Sequence, residues 1–320
     1  MKDWAGKNTR SEQGESAATG IDIRGAFIKD GETGHYDVSF AKKLLVESRG
    51  ETVGKAIGIE VDSIENRALE VTAGTVDITA AAYATASGGL AASTGQIAYS
   101  DDLLTVKGGT IDLQSDSTKI AVTTGVHARL GGTINTGTTD IKTYARTTER
   151  SSSTEAQGLA AGEYNSQDGK YYPGHIVVTS DKITVRATAQ ADNRANYFRS
   201  FAARASEGTL VLNNAELVAR TVSDVPDNVW SGNLAYGVLL EGNSTFKMKD
   251  GSIDAAATDL AGTTMVGYAR GLRTISESGG PRKTVEIGNV NIRAEGTDAR
   301  AVEINYADMT MSGGSLEAVA

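Results

Sequence analysis

The sequence predicts an all-β fold, a single-stranded right-handed parallel β-helix with three faces and protruding loops. Three observations favour this class: a recurring strand–corner–strand pattern, insertions restricted to certain corners, and a composition suited to many short strands. Pro removes a ladder donor from a sheet whereas Gly permits sharp corners, and the 320 residues include 37 Gly but only 3 Pro.

The recurring pattern is ten residues long: an apolar-x-apolar strand, a corner of small or polar residues, and a second apolar-x-apolar strand. Its six full copies are LEVTAGTVDI (69–78), LTVKGGTIDL (104–113), LVLNNAELVA (210–219), FKMKDGSIDA (246–255), VEIGNVNIRA (285–294) and MTMSGGSLEA (309–318). A shortened copy, ARLGGTINT, occupies 128–136.

Alternation with period two indicates strands that bury one face. The residues expected to face the core before the corner are Val71, Val106, Leu212, Met248, Ile287 and Met311. Those expected to face it after the corner are Val76, Ile111, Leu217, Ile253, Ile292 and Leu316.

A second strand precedes several copies, at a variable distance: ARAS (203–206), AYGV (235–238), ARGL (269–272) and ARAV (299–302). Three strands per turn, with one corner of variable length, is the layout of a three-faced solenoid. Arg204, Arg270 and Arg300 share a repeat position and are predicted to face solvent. The alternative is an antiparallel meander or propeller in which corners such as Lys-Gly-Gly-Thr are hairpin turns. Propeller repeats have a nearly constant length and carry periodic aromatic residues, and this sequence shows neither feature.

Residues 1–20 are expected to be a flexible N-terminal segment or partial cap, and 21–320 the β-helix. Two stretches, near 143–175 and 220–232, lack the repeat and predict loop insertions. Long loops on rigid scaffolds often carry binding. The candidate ligand-binding residues are Tyr164, Tyr171, Tyr172 and His175 in the first loop and Trp230 in the second. In the alternative interpretation, these side chains pack back onto the rod.

Composition and motifs argue against several classes of function. A net charge of −9 argues against a nucleic-acid or anionic-membrane surface, and the absence of Cys excludes disulfides and thiolate chemistry. We predict no catalytic residues, no cofactor and no metal site, since His35, His127 and His175 have no metal-ligand spacing. The acidic candidates considered for chemistry are Asp101, Asp102, Asp77, Asp112 and Asp254, the last three of which are expected to form an outward ladder.

The ten-residue units, the Ala-x-Gly/Ala-apolar strands and the cysteine-free Gly/Thr/Ala-rich composition resemble passenger domains of bacterial autotransporters, the pertactin-like family. The resemblance covers about 55–320. It implies a β-helix that is exported across the outer membrane and displayed on the cell surface or secreted. Such passengers commonly serve adhesion, cell–cell aggregation or virulence, with a host or bacterial surface protein or glycan as partner.

The final repeat copy ends without a polar cap, so we expect a fragment of a longer parent chain; the resemblance adds a membrane barrel C-terminal to it. This segment itself is predicted to make no membrane contact. Two other functions remain open: a carbohydrate-active β-helix enzyme, either a polysaccharide lyase or a tailspike-like hydrolase, and a phage or cell-wall spike.

Overall fold

The computed structural model describes residues 14–24, 32–38, 43–63, 68–150, 152–165, 168–178, 182–193, 195–223, 233–275 and 282–320. In chain order the strands are β1 (Glu15–Arg24), β2 (Thr33–Val38), β3 (Leu44–Gly50), β4 (Val53–Asp62), β5 (Ala68–Thr75), β6 (Ile78–Ala84), β7 (Leu90–Ala98), β8 (Leu103–Ser117), β9 (Ile120–Ala128), β10 (Thr133–Thr147), β11 (Ser152–Ala161), β12 (Glu163–Asn165), β13 (Lys170–Tyr172), β14 (His175–Val178), β15 (Ile183–Ala191), β16 (Ala195–Ser206), β17 (Thr209–Ser223), β18 (Asn233–Glu241), β19 (Thr245–Thr258), β20 (Tyr268–Thr274), β21 (Lys283–Glu295), β22 (Asp298–Glu303) and β23 (Ala307–Val319).

The strands stack as a parallel β-solenoid, which confirms the predicted fold class. Sheet A contains nine strands in the order β1-β4-β7-β9-β11-β16-β18-β20-β22. Sheet B contains twelve, because β2/β3, β5/β6 and β14/β15 occupy the two halves that a single bent strand fills elsewhere. One strand of sheet A and the sheet B segment after it form a rung. Neighbouring rungs pair in parallel, for example β8 with β10, so the antiparallel alternative is wrong.

Sheet B bends sharply in the middle of its long strands, and this bend divides it into two faces. In β8 the bend contains Gly109, whose φ is +132° and whose added Cβ would lie 2.0 Å from the Val76 carbonyl oxygen. Gly251 occupies the equivalent place in β19, with a φ of +124°. Only Gly adopts such a conformation readily, and only Gly leaves room for the neighbouring backbone. Together with sheet A, the two halves of sheet B give the rod three faces.

Ten of the twelve residues predicted to face the core are buried. The exceptions are Met311, which is partly exposed, and Leu316, whose exposed fraction is 55%. Both lie on β23, which pairs with β21 on one side and has no second neighbour among the described strands. An inward direction is therefore not enough for burial; a side chain also needs a rung on each side.

The structure corrects the register of three sequence repeats. In the first copy Val71 pairs with Leu104, whereas the sequence alignment places it opposite Val106. The first strand of that copy is therefore displaced by two residues relative to the alignment. The true equivalent of the shortened copy begins at Ile134, which pairs with Leu104. Among the short strands, Ser200 rather than Ala203 pairs with Ala235.

The insertions are shorter than the sequence suggested. Residues 143–147 belong to β10 and 152–161 to β11, so the excursion between rungs covers only 162–174. Residues 220–223 belong to β17, and 224–232 lie outside the described residues. Of the N-terminal segment 1–20, expected to be flexible or a partial cap, residues 15–20 belong to β1, which pairs with β4 as an ordinary rung strand, and 1–13 lie outside the described residues. Within the described residues, no helix has the length and apolarity needed to cross a membrane.

A column of very small residues runs through sheet A, one per rung: Gly20, Gly58, Gly95, Gly125, Gly158, Ala202, Gly237, Gly271 and Ala301. Opposite it, sheet B supplies an aliphatic column: Leu44, Ile78, Ile111, Ile141, Val185, Leu217, Ile253, Ile292 and Leu316. A Cβ added at Gly125 would lie 2.5 Å from the Ile141 methyl and 2.5 Å from the Gly158 carbonyl oxygen. In the seven rungs where the small residue is Gly, the aliphatic side chain thus packs directly onto the backbone across the rod.

We expect Gly125→Ala to lower the free energy of unfolding by about 1–3 kcal/mol, because the new methyl group overlaps backbone that cannot move without disturbing two rungs. Gly74→Ala is the matched control, since Gly74 also lies in a strand but has nothing within 4 Å of an added Cβ. This change should be neutral or stabilising by up to about 1 kcal/mol. Urea denaturation of both variants measures the difference, and equal effects would contradict the close-packed column.

Adjacent residues of β19 test which way the side chains point. Ile253 is buried, whereas Asp254 points outward and pairs with Arg220 at 2.6 Å. Ile253→Asp should cost about 4 kcal/mol or more, since it places an unpaired carboxylate in the core. Asp254→Asn should cost less than about 1 kcal/mol. Thermal unfolding followed by circular dichroism compares the two, and similar losses would mean that the inward and outward assignments are wrong.

Candidate functional site

Between β11 and β14 the chain leaves the rod as a short hairpin formed by β12 and β13. The two strands pair antiparallel, with Glu163 opposite Tyr172, Tyr164 opposite Tyr171 and Asn165 opposite Lys170. The hairpin starts from the corner between sheet A and sheet B, and β12 packs beside β16. It brings together three of the tyrosines that the sequence predicts as ligand contacts.

Two of these tyrosines form an aromatic pair, in which Tyr164 is exposed and Tyr171 is half-buried. The Tyr164 and Tyr171 rings have centroids 4.9 Å apart and planes inclined by 50°, and Tyr164 is 46% exposed. Tyr172 differs, because its hydroxyl donates to the Asp168 carboxylate at the turn. That hydrogen bond lowers the pKa of Asp168 and raises the pKa of Tyr172. Tyr172 therefore holds the turn, while Tyr164 presents an exposed ring that packs on Tyr171.

The base of the hairpin is tied to the preceding rung. Arg129, in the corner after β9, forms a 2.5 Å ion pair with Glu163, and its guanidinium lies over the Tyr99 ring at 5.2 Å. The Gly162 N–H donates to the Ala128 carbonyl at 2.8 Å. These contacts restrain the start of the hairpin, so its aromatic pair projects from a rigid support.

The other two predicted contact residues do not belong to the hairpin. His175 is the first residue of β14, and its backbone N–H donates to the Gly132 carbonyl at 2.9 Å. In the sheet it is paired with Thr133 of β10 on one side and with Thr209 of β17 on the other. It is therefore part of the rod surface. Trp230 lies outside the described residues.

The remaining histidines have separate surroundings. His35 pairs with exposed Glu70 at 3.0 Å. His127, beside the hairpin base, is partly buried, and this desolvation together with the charges of Arg129 and Arg204 lowers its pKa to about 3. It is neutral at physiological pH. Across the described ranges there is no cluster of three or more His, Cys, Asp or Glu residues suited to a metal ion.

Three of the five acidic candidates, Asp77, Asp102 and Asp254, have structural partners. Asp77 and Asp112 are exposed, as predicted, but Asp77 lies opposite Thr110, from which it accepts, and therefore in a different column from Asp112 and Asp254. The predicted ladder is wrong for Asp77.

Asp102 is buried in the corner between β7 and β8, where it accepts from the backbone N–H groups of Ser63 and Leu69 at 2.8 and 2.9 Å. Burial raises the pKa of Asp102. Its carboxylate joins the corners of two rungs.

The sequence analysis missed a layer of arginines and aromatic rings on the outer side of sheet A, which we call the arginine–aromatic layer. Its members are Tyr197, Arg199, Phe201, Arg204, Tyr236, Tyr268, Arg270 and Arg273. The fully buried Phe201 ring stacks on the Tyr236 ring of the next rung, with centroids 5.3 Å apart and planes inclined by 4°. Together with Leu239 the two rings form a small core separate from the interior.

The arginines of this layer cover the rings. The guanidiniums of Arg199 and Arg204 lie 5.7 and 5.3 Å from the centre of Phe201, and Arg273 donates to the Tyr236 hydroxyl at 3.0 Å. The sequence did contain a signal for this layer: residues 197–201, YFRSF, include three aromatic residues, in a chain of which only 6% of residues are aromatic. The shifted register of the neighbouring ARAS segment hid their alignment with Tyr236.

The predicted grouping of Arg204, Arg270 and Arg300 is wrong in two respects. Arg270 and Arg300 share a column with Phe201 and Tyr236, whereas Arg204 pairs with Leu239. The Arg270 side chain is also buried, with 7% exposed, because Glu303 and Asp298 of the next rung surround its guanidinium. The side chain of Arg300 is 52% exposed, as predicted.

No protein-family model, curated protein or solved structure matches this chain. The parallel β-solenoid is established by the structure alone, and the resemblance to autotransporter passengers stays a prediction.

We expect Arg270→Met to destabilise the rod by about 2–4 kcal/mol, since it removes the shortest ion pairs of Glu303 and Asp298, which are partly withdrawn from water. Arg300→Met, in the same column on the next rung, should cost less than about 1 kcal/mol because that guanidinium is solvated. Urea denaturation of each variant gives the comparison. Equal decreases in the free energy of unfolding would show that the burial of Arg270 does not increase its contribution to stability.

Proposed function

We propose that this chain is a non-catalytic rod of the autotransporter-passenger kind, displayed outside the cell, which binds a surface protein or glycan through the β12–β13 hairpin. The observation that carries the proposal is the Tyr164–Tyr171 pair, in which the exposed Tyr164 ring packs on the half-buried Tyr171 ring, on a hairpin whose base is ion-paired to a neighbouring rung.

Paired tyrosines on a restrained hairpin suit recognition. A Tyr ring offers a large apolar area and a hydroxyl while losing little conformational entropy, and such residues dominate the energetics of many interfaces. The anchoring Arg129–Glu163 pair reduces the ordering cost that binding would otherwise incur. The rod supports this role as a stiff spacer of regularly stacked rungs.

The charges outside sheet A favour binding over acid–base catalysis. Glu155 and Glu241 both lie against Arg204, at 3.7 and 2.7 Å. Both carboxylates thus belong to one ion-pair network around an arginine, whereas a glycosidase needs two carboxyl groups that face each other across a bound sugar. Adhesion, aggregation or host interaction therefore fits the surface better than polysaccharide cleavage.

Exchange of the two paired tyrosines tests the proposal. The 1–320 chain is screened against immobilised glycans and matrix proteins, and its strongest ligand is then titrated against Tyr164→Ser/Tyr171→Ser. We expect at least about tenfold weaker binding, since two aromatic anchors are lost.

The control is Tyr36→Ser/Tyr306→Ser, which removes two exposed tyrosines at distant rungs and should leave the affinity unchanged. Circular dichroism confirms that both variants fold. Unaltered affinity in the hairpin variant would refute the assigned site, and the absence of any ligand in the screen would count against the binding role.

A further inference from the structure

We propose that the arginine–aromatic layer on sheet A is a second binding surface, and that its ligand is an uncharged oligosaccharide lying obliquely across its rungs. The inference rests on the proposed binding function and names a ligand class for a different face of the same rod.

The layer offers exposed aromatic surface on two of its rungs. Tyr197 on β16 is 60% exposed, and the partly exposed Tyr268 lies two rungs further on, on β20, in the column of Arg199. Rungs are about 4.8 Å apart and residues about 3.3 Å apart along a strand, so the Cα atoms of Tyr197 and Tyr268 are separated by about 12 Å on a line oblique to the axis. This is close to the span of two pyranose units, whose C–H faces stack on tyrosine rings.

Ion pairs flank these rings. Arg199, whose side chain is 33% exposed, bonds Glu155 at 2.8 Å. Arg270 bonds Asp298 at 3.0 Å, but Arg270 is buried, so this pair presents only the Asp298 carboxylate to a ligand. A guanidinium edge donates in a fixed fork, and the adjacent carboxylate accepts. A sugar hydroxyl both donates and accepts, so neighbouring hydroxyls of a pyranose complement such a pair.

Charge selects among possible ligands. Besides those two pairs, Arg204 lies 2.7 Å from Glu241 and Arg273 lies 3.5 Å from Glu303, so each guanidinium of the layer has a carboxylate beside it. An anionic ligand would have to displace these carboxylates or lie against them, within a chain of net charge −9. The layer therefore favours a neutral polyol over an acidic glycan, a nucleic acid or an acidic peptide.

The side chains are held in place before any ligand arrives. Arg199 and Arg204 are fixed between the buried Phe201 ring beneath them and carboxylates beside them. Tyr236 supports Phe201 from the next rung. Because these rotamers are already restrained, binding orders few additional side chains, which allows measurable affinity from a modest contact area.

The test is calorimetric titration of the whole 1–320 chain with neutral hexasaccharides (maltohexaose, cellohexaose and an N-acetylglucosamine oligomer) and with oligogalacturonate and a heparin hexasaccharide as acidic counterparts. We expect binding of at least one neutral ligand, with affinity nearly constant from about 50 to about 500 mM salt. Tyr197→Ala should weaken it at least about fivefold through loss of ring stacking.

Two controls separate this surface from the hairpin. Tyr36→Ala removes an exposed tyrosine from the second strand of the first rung, and Tyr164→Ser removes the exposed ring of the hairpin while keeping Tyr171, which lies near Arg204 of the layer; both should leave neutral-sugar affinity unchanged. Preference for the acidic ligands with strong salt dependence, no binding of any neutral sugar, or indifference to Tyr197→Ala would overturn the assignment. Hairpin-dependent binding of another ligand alongside any of these outcomes would leave the proposed function standing.

Discussion

The close contact between the small residues of sheet A and the aliphatic column of sheet B is the constraint on which the rod depends. Each rung brings its own Ile, Leu or Val against its own Gly or Ala, so the three faces close rung by rung. No residue in this column has a side chain larger than the methyl group of Ala, since the opposing aliphatic side chains fill the space. Register in both sheets follows, because a slip by one residue would place a side chain where the opposing methyl group lies.

Alternation of apolar residues was enough to predict strands, corners and a parallel solenoid, because the aliphatic column is regular. It failed where another residue type takes the inward position. Thr136, Thr139 and Thr143 are buried in β10, and the Thr136 and Thr139 hydroxyls bond each other at 2.9 Å. An apolar template passes over such threonines, so the true seventh copy escaped detection.

The predicted binding tyrosines were found from composition alone, since a polar stretch with several tyrosines stands out against the repeat. The arginine–aromatic layer could not be found in this way. Its members come from β16, β18 and β20, and their proximity depends on the register between rungs. The alternation of apolar residues also shows only which positions face the interior. Phe201 and Arg270 point outward and are buried by their neighbours, so in the sequence they cannot be distinguished from solvent-exposed positions.

The hairpin interrupts its rung without altering the ladder on either side. β11 keeps its register with β16, and β14 keeps its register with β10 and β17. Since the cost of closing a loop rises slowly with its length, this corner can accept segments of different length and sequence at little cost to the rod. It is a natural grafting point, where a new recognition segment can be exchanged while the scaffold and its stability are inherited unchanged.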